Sequence, residues 1–234
     1  MMSISQARFV SGLIVIAQSL LLLVPLAILG AAISWPDSLD FPPAQALPLI
    51  FEQIGQVQLG YGIYLGYSLA WVIVGPIIAW AALGRNGTIG ALFVTAIGLI
   101  CASAMARAIG IIRWLTASSF LAESYAAAPP ETQAAIDVVQ SAINAWGGAI
   151  GELLGVSLFT VGWLIAVSVL VLRHGGLPKF IGWSGLIVAP ILASPAIELF
   201  GMEANLKLPT ALIHAWLFVV GIALLWQARS GSRG

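Results

Sequence analysis

Charge is what this sequence has least of: 8% of its 234 residues are Asp, Glu, Lys or Arg, while 60% are hydrophobic. A soluble domain carries about 25% charge, so this composition cannot dress an ordinary water-facing surface. Basic and acidic residues balance at nine each. With no basic excess there is no electrostatic footprint for nucleic acid. The single cysteine, Cys101, excludes an internal disulfide and any multi-cysteine metal or iron–sulfur site; it reads as a small core residue of a membrane span. No HExxH pair, nucleophile elbow or glycine-rich phosphate loop occurs. His174 and His214 are poorly placed for a bis-histidine haem, one falling at each end of the spans read below. No lysine lies inside a span to carry a retinal Schiff base. Neither a cofactor nor a metal is expected, and no enzyme motif is found.

What is abundant is apolar length. Mean hydropathy is +1.03, and several runs exceed the roughly 20 residues that cross a bilayer. Six spans are predicted, over 8–34, 56–83, 88–112, 138–172, 180–200 and 208–228. They make one all-α, polytopic domain over 1–234, a six-helix membrane bundle. The first run is too long for a signal-peptide core and is read as a retained helix. The stretch "ALPLIFEQIGQ" has apolar residues at helical spacing and suits a helix lying along the interface. In "AAAPPETQAAIDVVQ" the Pro-Pro followed by Glu131-Thr132 marks a helix start. The fourth span is too long for a bilayer, so its first turns are expected to project beyond it.

Threading six spans sorts the charges. Arg8, Arg85, Arg173, Lys179, Arg229 and Arg233 fall on one side, without any acidic residue. Asp37, Asp40, Glu52, Glu123, Glu131, Asp137 and Glu203 fall on the other. This is the positive-inside pattern and predicts that both termini are cytoplasmic.

Five ionisable residues remain within or at the ends of spans: Arg107, Arg113, Glu152, Glu198 and His214. At about 1.5 Å of rise per residue, all five fall in the outer third of the membrane. Intramembrane charges usually face the bundle interior and mark functional sites. Ser103, Arg107, Gly110 and Trp114 share one face of the third helix, and Asn144, Gly148 and Glu152 share one face of the fourth. Two readings stand for Arg113: a place in the cluster, or snorkelling to the interface beside Trp114 as an aromatic-belt residue. Arg107 has the stronger claim to a buried partner. An Arg–Glu pair of this kind serves either a ligand or helix register. Gly147, Gly151 and Gly155 form a small-residue ridge, as do Gly62 and Gly66, and such ridges let helices approach closely. Tyr61, Tyr64, Tyr67 and Trp71 form an aromatic stripe, read as belt and packing or as the wall of a lipid-sized pocket.

Short motifs along the chain resemble a family. Arg173, then Gly176-Leu177-Pro178-Lys179, then Ile181-Gly182, together with "IIRWL" at 111–115 and "GELLG" at 151–155, are similar to an uncharacterised family of six-span bacterial integral membrane proteins defined by a domain of unknown function. The resemblance implies six helices and a bacterial plasma membrane, and it lends weight to Arg113 and Glu152. It carries no activity.

The sequence therefore points to a membrane protein that meets membrane lipid and binds a lipid-like or small amphiphilic ligand, or a partner membrane subunit, through Arg107, Arg113, Glu152, Glu198, His214, Asn144 and Trp114. The alternatives are a small transporter or sensor with a buried ion-pair switch, or an intramembrane enzyme using Glu152 or Glu198 as general base.

Overall fold

A backbone inside hydrocarbon must satisfy its own N–H and C=O groups, which for a chain with these long apolar runs means helices. A computed structural model describes residues 3–84, 87–200 and 207–230, the side chains of 198–200 excepted. Among the described residues there is helix and no strand. Six helical segments are long and apolar enough to cross a membrane: Ile4–Ile33, Ile54–Leu83, Ala91–Ala127, Pro130–His174, Lys179–Ile197 and Lys207–Ser230. The protein is an all-α, multi-pass membrane protein. Arg85, Glu203 and Arg233, used in the charge reading, lie outside the described residues.

Within those spans the helices are more broken than hydropathy suggests. The first comprises α1 (Ile4–Leu21) and α2 (Leu23–Ile33). The break precedes Pro25, which has no N–H to bond the Leu21 carbonyl. The "ALPLIF" stretch forms α3 (Pro43–Glu52), followed by α4 (Ile54–Leu83) and α5 (Ala91–Leu115). A helix not expected from the sequence, α6 (Ala117–Ala127), follows α5 after a break at Thr116. The Pro-Pro start is found where expected, at α7 (Pro130–Gly148). A π-helical segment, Ala149–Phe159, links α7 to α8 (Thr160–His174). The fifth span is a short α9 (Lys179–Leu192) continued by a 3-10 segment, Ser194–Phe200; α10 (Lys207–Ser230) is the last.

The chain divides into two compact units. The first comprises Met1–Leu20, Ala70–Ala104 and Leu153–Gly234. Its helices close on glycine. A Cβ on Gly12 of α1 would stand 2.9 Å from the Gly221 carbonyl of α10, and one on Gly221 would stand 3.0 Å from the Gly12 carbonyl. Trp163 of α8 sits edge-on between Trp71 and Trp216, at 5.5 and 6.0 Å. The Trp216 indole donates to the Ile181 carbonyl. Gly175 ends α8 at φ +68°, and the backbone of Gly176 packs against Ala81 and Ala82 of α4. A side chain could occupy neither place without strain, which accounts for the Gly-Gly of that loop.

The second unit comprises Leu21–Leu69 and Met105–Glu152. Leu29, Ile33, Leu47, Ile50, Tyr61 and Trp114 form the middle of its core. The apolar face of α3, Ala46, Leu47 and Ile50, is buried, and the helix packs on α6 and α7. Gly110 of α5 and Gly151 bring two backbones together: a Cβ on Gly110 would fall 2.6 Å from the Gly151 Cα. The Gly147–Gly151 ridge is thus spent inside the chain. Gly62 of α4 has open space around it.

This contrast predicts opposite outcomes for one added methyl. Gly110→Ala should destabilise the detergent-solubilised protein by about 1–3 kcal/mol, the usual cost of overpacking. Gly62→Ala should leave the thermal midpoint unchanged or raise it, since it adds helix propensity without a clash. Equal midpoints for the two variants would refute the Gly110–Gly151 contact.

Candidate functional site

α5 carries Arg107 and Arg113 on inward faces, and they are 4% and 6% exposed. They are the two charged residues that are fully buried among those described. Ser103, Gly110 and Trp114 are buried with them, as the shared helical face requires.

Arg113 does not snorkel. Its Nη2 donates to Glu152 Oε1 at 3.2 Å, and its Nη1 donates to the Gly110 carbonyl at 3.0 Å. The guanidinium carbon stands 5.2 Å from the Trp114 ring centroid, within cation–π range. The side chain lies flat on Gly147, where a Cβ would fall 2.7 Å from Nη1 and 3.0 Å from Nε. Glycine at 110, 147 and 151 therefore lets the helices approach so closely that the arginine folds inward along the neighbouring backbone. Its Nε remains buried without a hydrogen-bond partner. Glu152 is 31% exposed, so one end of the pair is enclosed and the other opens outward.

Trp114 is likewise no belt residue. It is 3% exposed and stacks on Tyr61 at 5.0 Å with the rings 4° from parallel. Tyr64 stacks on Tyr67 and meets the edge of Trp35. The aromatic stripe of α4 is packing, and Tyr64 lies within the electrostatic reach of Arg107, Glu152 and Arg113. The Tyr61 hydroxyl is buried with no hydrogen-bond partner.

Asn144 donates through Nδ2 to the Leu39 carbonyl at 3.1 Å, tying α7 to the 3-10 turn Asp37–Asp40. His214 belongs to the first unit, where its Nδ1 lies 2.6 Å from the Thr210 carbonyl of its own helix. Glu198 lies in the 3-10 segment, and its side chain is outside the described residues. Of the seven residues singled out from the sequence, the structure thus brings Arg113, Glu152 and Trp114 together, and places Arg107 and Asn144 in the same unit.

Sequence reasoning passed over the π-helical segment that carries Glu152. Its i→i+5 bonding widens the turn, a deviation that recurs at functional sites. The carbonyl of Gly155 accepts the hydroxyls of Ser103, at 2.7 Å, and Thr160, at 2.8 Å. The signals were there in retrospect: a run of glycines opposite a small polar residue on the facing helix.

A family model described as Domain of unknown function (DUF4386) matches residues 7–226, nearly the whole chain. Searches of curated proteins and of solved structures return no match.

Breaking the pair should expose its burial. Arg113→Ala removes the donor to Glu152 and to the Gly110 carbonyl and should cost about 1–3 kcal/mol, as for the loss of a buried charged hydrogen-bond partner. A double-mutant cycle with Glu152→Gln, read by denaturation in detergent, should give a coupling of about 0.5–3 kcal/mol. Additive effects would mean that the two groups do not interact.

Proposed function

This chain belongs to the DUF4386 family, a domain of unknown function, and we propose from the geometry of its site that it binds the anionic head of a lipid-like amphiphile through Arg107 and Arg113. One observation carries the reading. Arg113 is buried and donates to the part-exposed Glu152 and to the Gly110 carbonyl, yet its Nε, buried as well, has no hydrogen-bond partner. A buried donor left without an acceptor is costly, and an anionic oxygen supplies one. The donor at Arg113 Nε, buried without an acceptor, is the atom such an anion would meet. The outward opening at Glu152 provides a way in from the lipid side, and the apolar side chains Ile109 and Ile112, exposed on the same helix, suit an acyl chain. The absence of a catalytic motif favours binding over chemistry.

The membrane is proposed to be the bacterial plasma membrane, with both termini cytoplasmic. The segregation of Arg8, Arg173, Lys179 and Arg229 from the acidic loops supports that orientation. Reporter fusions at residue 1 and residue 234 should both give the cytoplasmic signal; a periplasmic signal at either end would break the six-span threading.

Binding is tested by ligand-dependent stability. Phosphatidylglycerol should raise the thermal midpoint of the purified protein more than phosphatidylcholine does. Saturation at 100 times Kd corresponds to about 2.7 kcal/mol. Arg107→Gln and Arg113→Gln should each remove the preference for the anionic lipid. Equal shifts for the two lipids, or a preference that survives both substitutions, would sink the proposal. A stoichiometric membrane subunit that co-purifies and occupies the arginines would do so as well.

A further inference from the structure

α7 carries a second feature, distinct from the ion pair itself. At about 100° per residue, Gln133, Asp137, Gln140, Asn144 and Gly147 fall within an arc of about 80° on the helix. This polar face is turned into the protein. Gln133 Nε2 donates to the Tyr125 carbonyl and Gln140 Nε2 to the Ser118 hydroxyl, both on α6, while Asn144 reaches Leu39. Gly147, last in the row, underlies Arg113.

Gln133, Gln140 and Asn144 are each held through the amide nitrogen, and the row carries orphan atoms. Asp137 Oδ1, Gln140 Oε1, Asn144 Oδ1 and, at the end of the row, Arg113 Nε are all buried without a hydrogen-bond partner. Gln140 is itself only 3% exposed. Turning its amide over does not help, since Ser118 can meet one amide atom and leaves the other. The Asn144 amide cannot turn, because its partner is a carbonyl. Buried polar atoms are rarely left unbonded, and a run of them along one face is where proteins hold internal water. A cation suits the row poorly, because it ends at a guanidinium. Water donates to the three oxygens and accepts from Nε, so it satisfies both kinds of orphan.

We infer that the polar face of α7 is an aqueous access path, which admits water and small water-borne solutes from the Pro130 end of the helix to the Arg113–Glu152 pair. The acidic residues at that end, Glu131 and Asp137, make a hydrated entrance. The path concerns water, and it stands or falls independently of the amphiphile, which would approach from the lipid.

Accessibility to a charged methanethiosulfonate reagent tests it, since the thiolate that reacts exists only where water reaches. In nanodiscs, on a Cys101→Ala background, Gln140→Cys and Asn144→Cys should react at least tenfold faster than Ile109→Cys and Ile112→Cys, which face outward on α5. Ser118→Cys, nearly isosteric and partnered to Gln140, should also react and covers the case in which an α7 variant does not fold. Rates at Ser118→Cys and the folded α7 variants no faster than at the α5 controls would overturn the path. Retained phosphatidylglycerol selectivity in that event would leave the amphiphile reading standing.

Discussion

A guanidinium enclosed in a membrane segment needs acceptors, and for Arg113 a neighbouring helix brings one by way of a close glycine contact. Gly110 and Gly151 place two backbones in contact, and Gly147 provides a floor without a side chain. Arg113 then lies along that floor, returns one bond to its own helix and gives one to Glu152. The direction of Arg113 also fixes its neighbour in the chain. With Arg113 turned to α7, Trp114 is carried onto Tyr61, and the aromatic stripe of α4 becomes packing. Dispersion and hydrogen bonding drive helix association in lipid, where the hydrophobic effect is absent. A close glycine contact with an ion pair inside it supplies both.

The π-helical segment belongs to the same logic. A widened turn leaves carbonyls that an α-helix would have engaged, and in a membrane those need donors. Ser103 and Thr160 supply hydroxyls to the Gly155 carbonyl, and Ser157 donates to Leu192. Local irregularity is thus tolerated because short polar side chains on α5 and α8 are placed to absorb it. Glu152 emerges from the first turn of this segment, so its direction follows from a backbone register that an ideal helix would not have.

The parts of this fold legible in the sequence are those set by a one-dimensional property. Apolar length yields the six spans, and the Pro-Pro before Glu131 marks the start of α7. The unread parts depend on three dimensions. α6 is eleven residues with serine, glutamate and tyrosine among them, which looks like a loop until α3 is seen to cover it. The fifth span is continuous in hydropathy, yet its α-helix stops at Leu192, with Pro190 and Pro195 flanking the change to 3-10. The inward turn of Arg113 could not be read either. Its position near a span end, beside a tryptophan, has the composition of a snorkelling residue, and only the glycine floor on a helix 34 residues later in the chain decides otherwise. Helical phase did place Arg107, Gly110 and Trp114 on a buried face, because phase is local.

The ion pair therefore meets two different surroundings. Along α7 it adjoins a row of polar side chains with unbonded buried atoms, and at Glu152 it is part-exposed. A purely structural pair gains nothing from such asymmetry: register would be held better by a pair enclosed and bonded on every side, or by apolar residues of the same volume. An amphiphile has the same asymmetry, a head that needs donors and water and a tail that needs lipid. The arrangement of Arg113 and Glu152, with the Arg113 Nε left for an acceptor, fits that partner better than it fits a strut between helices.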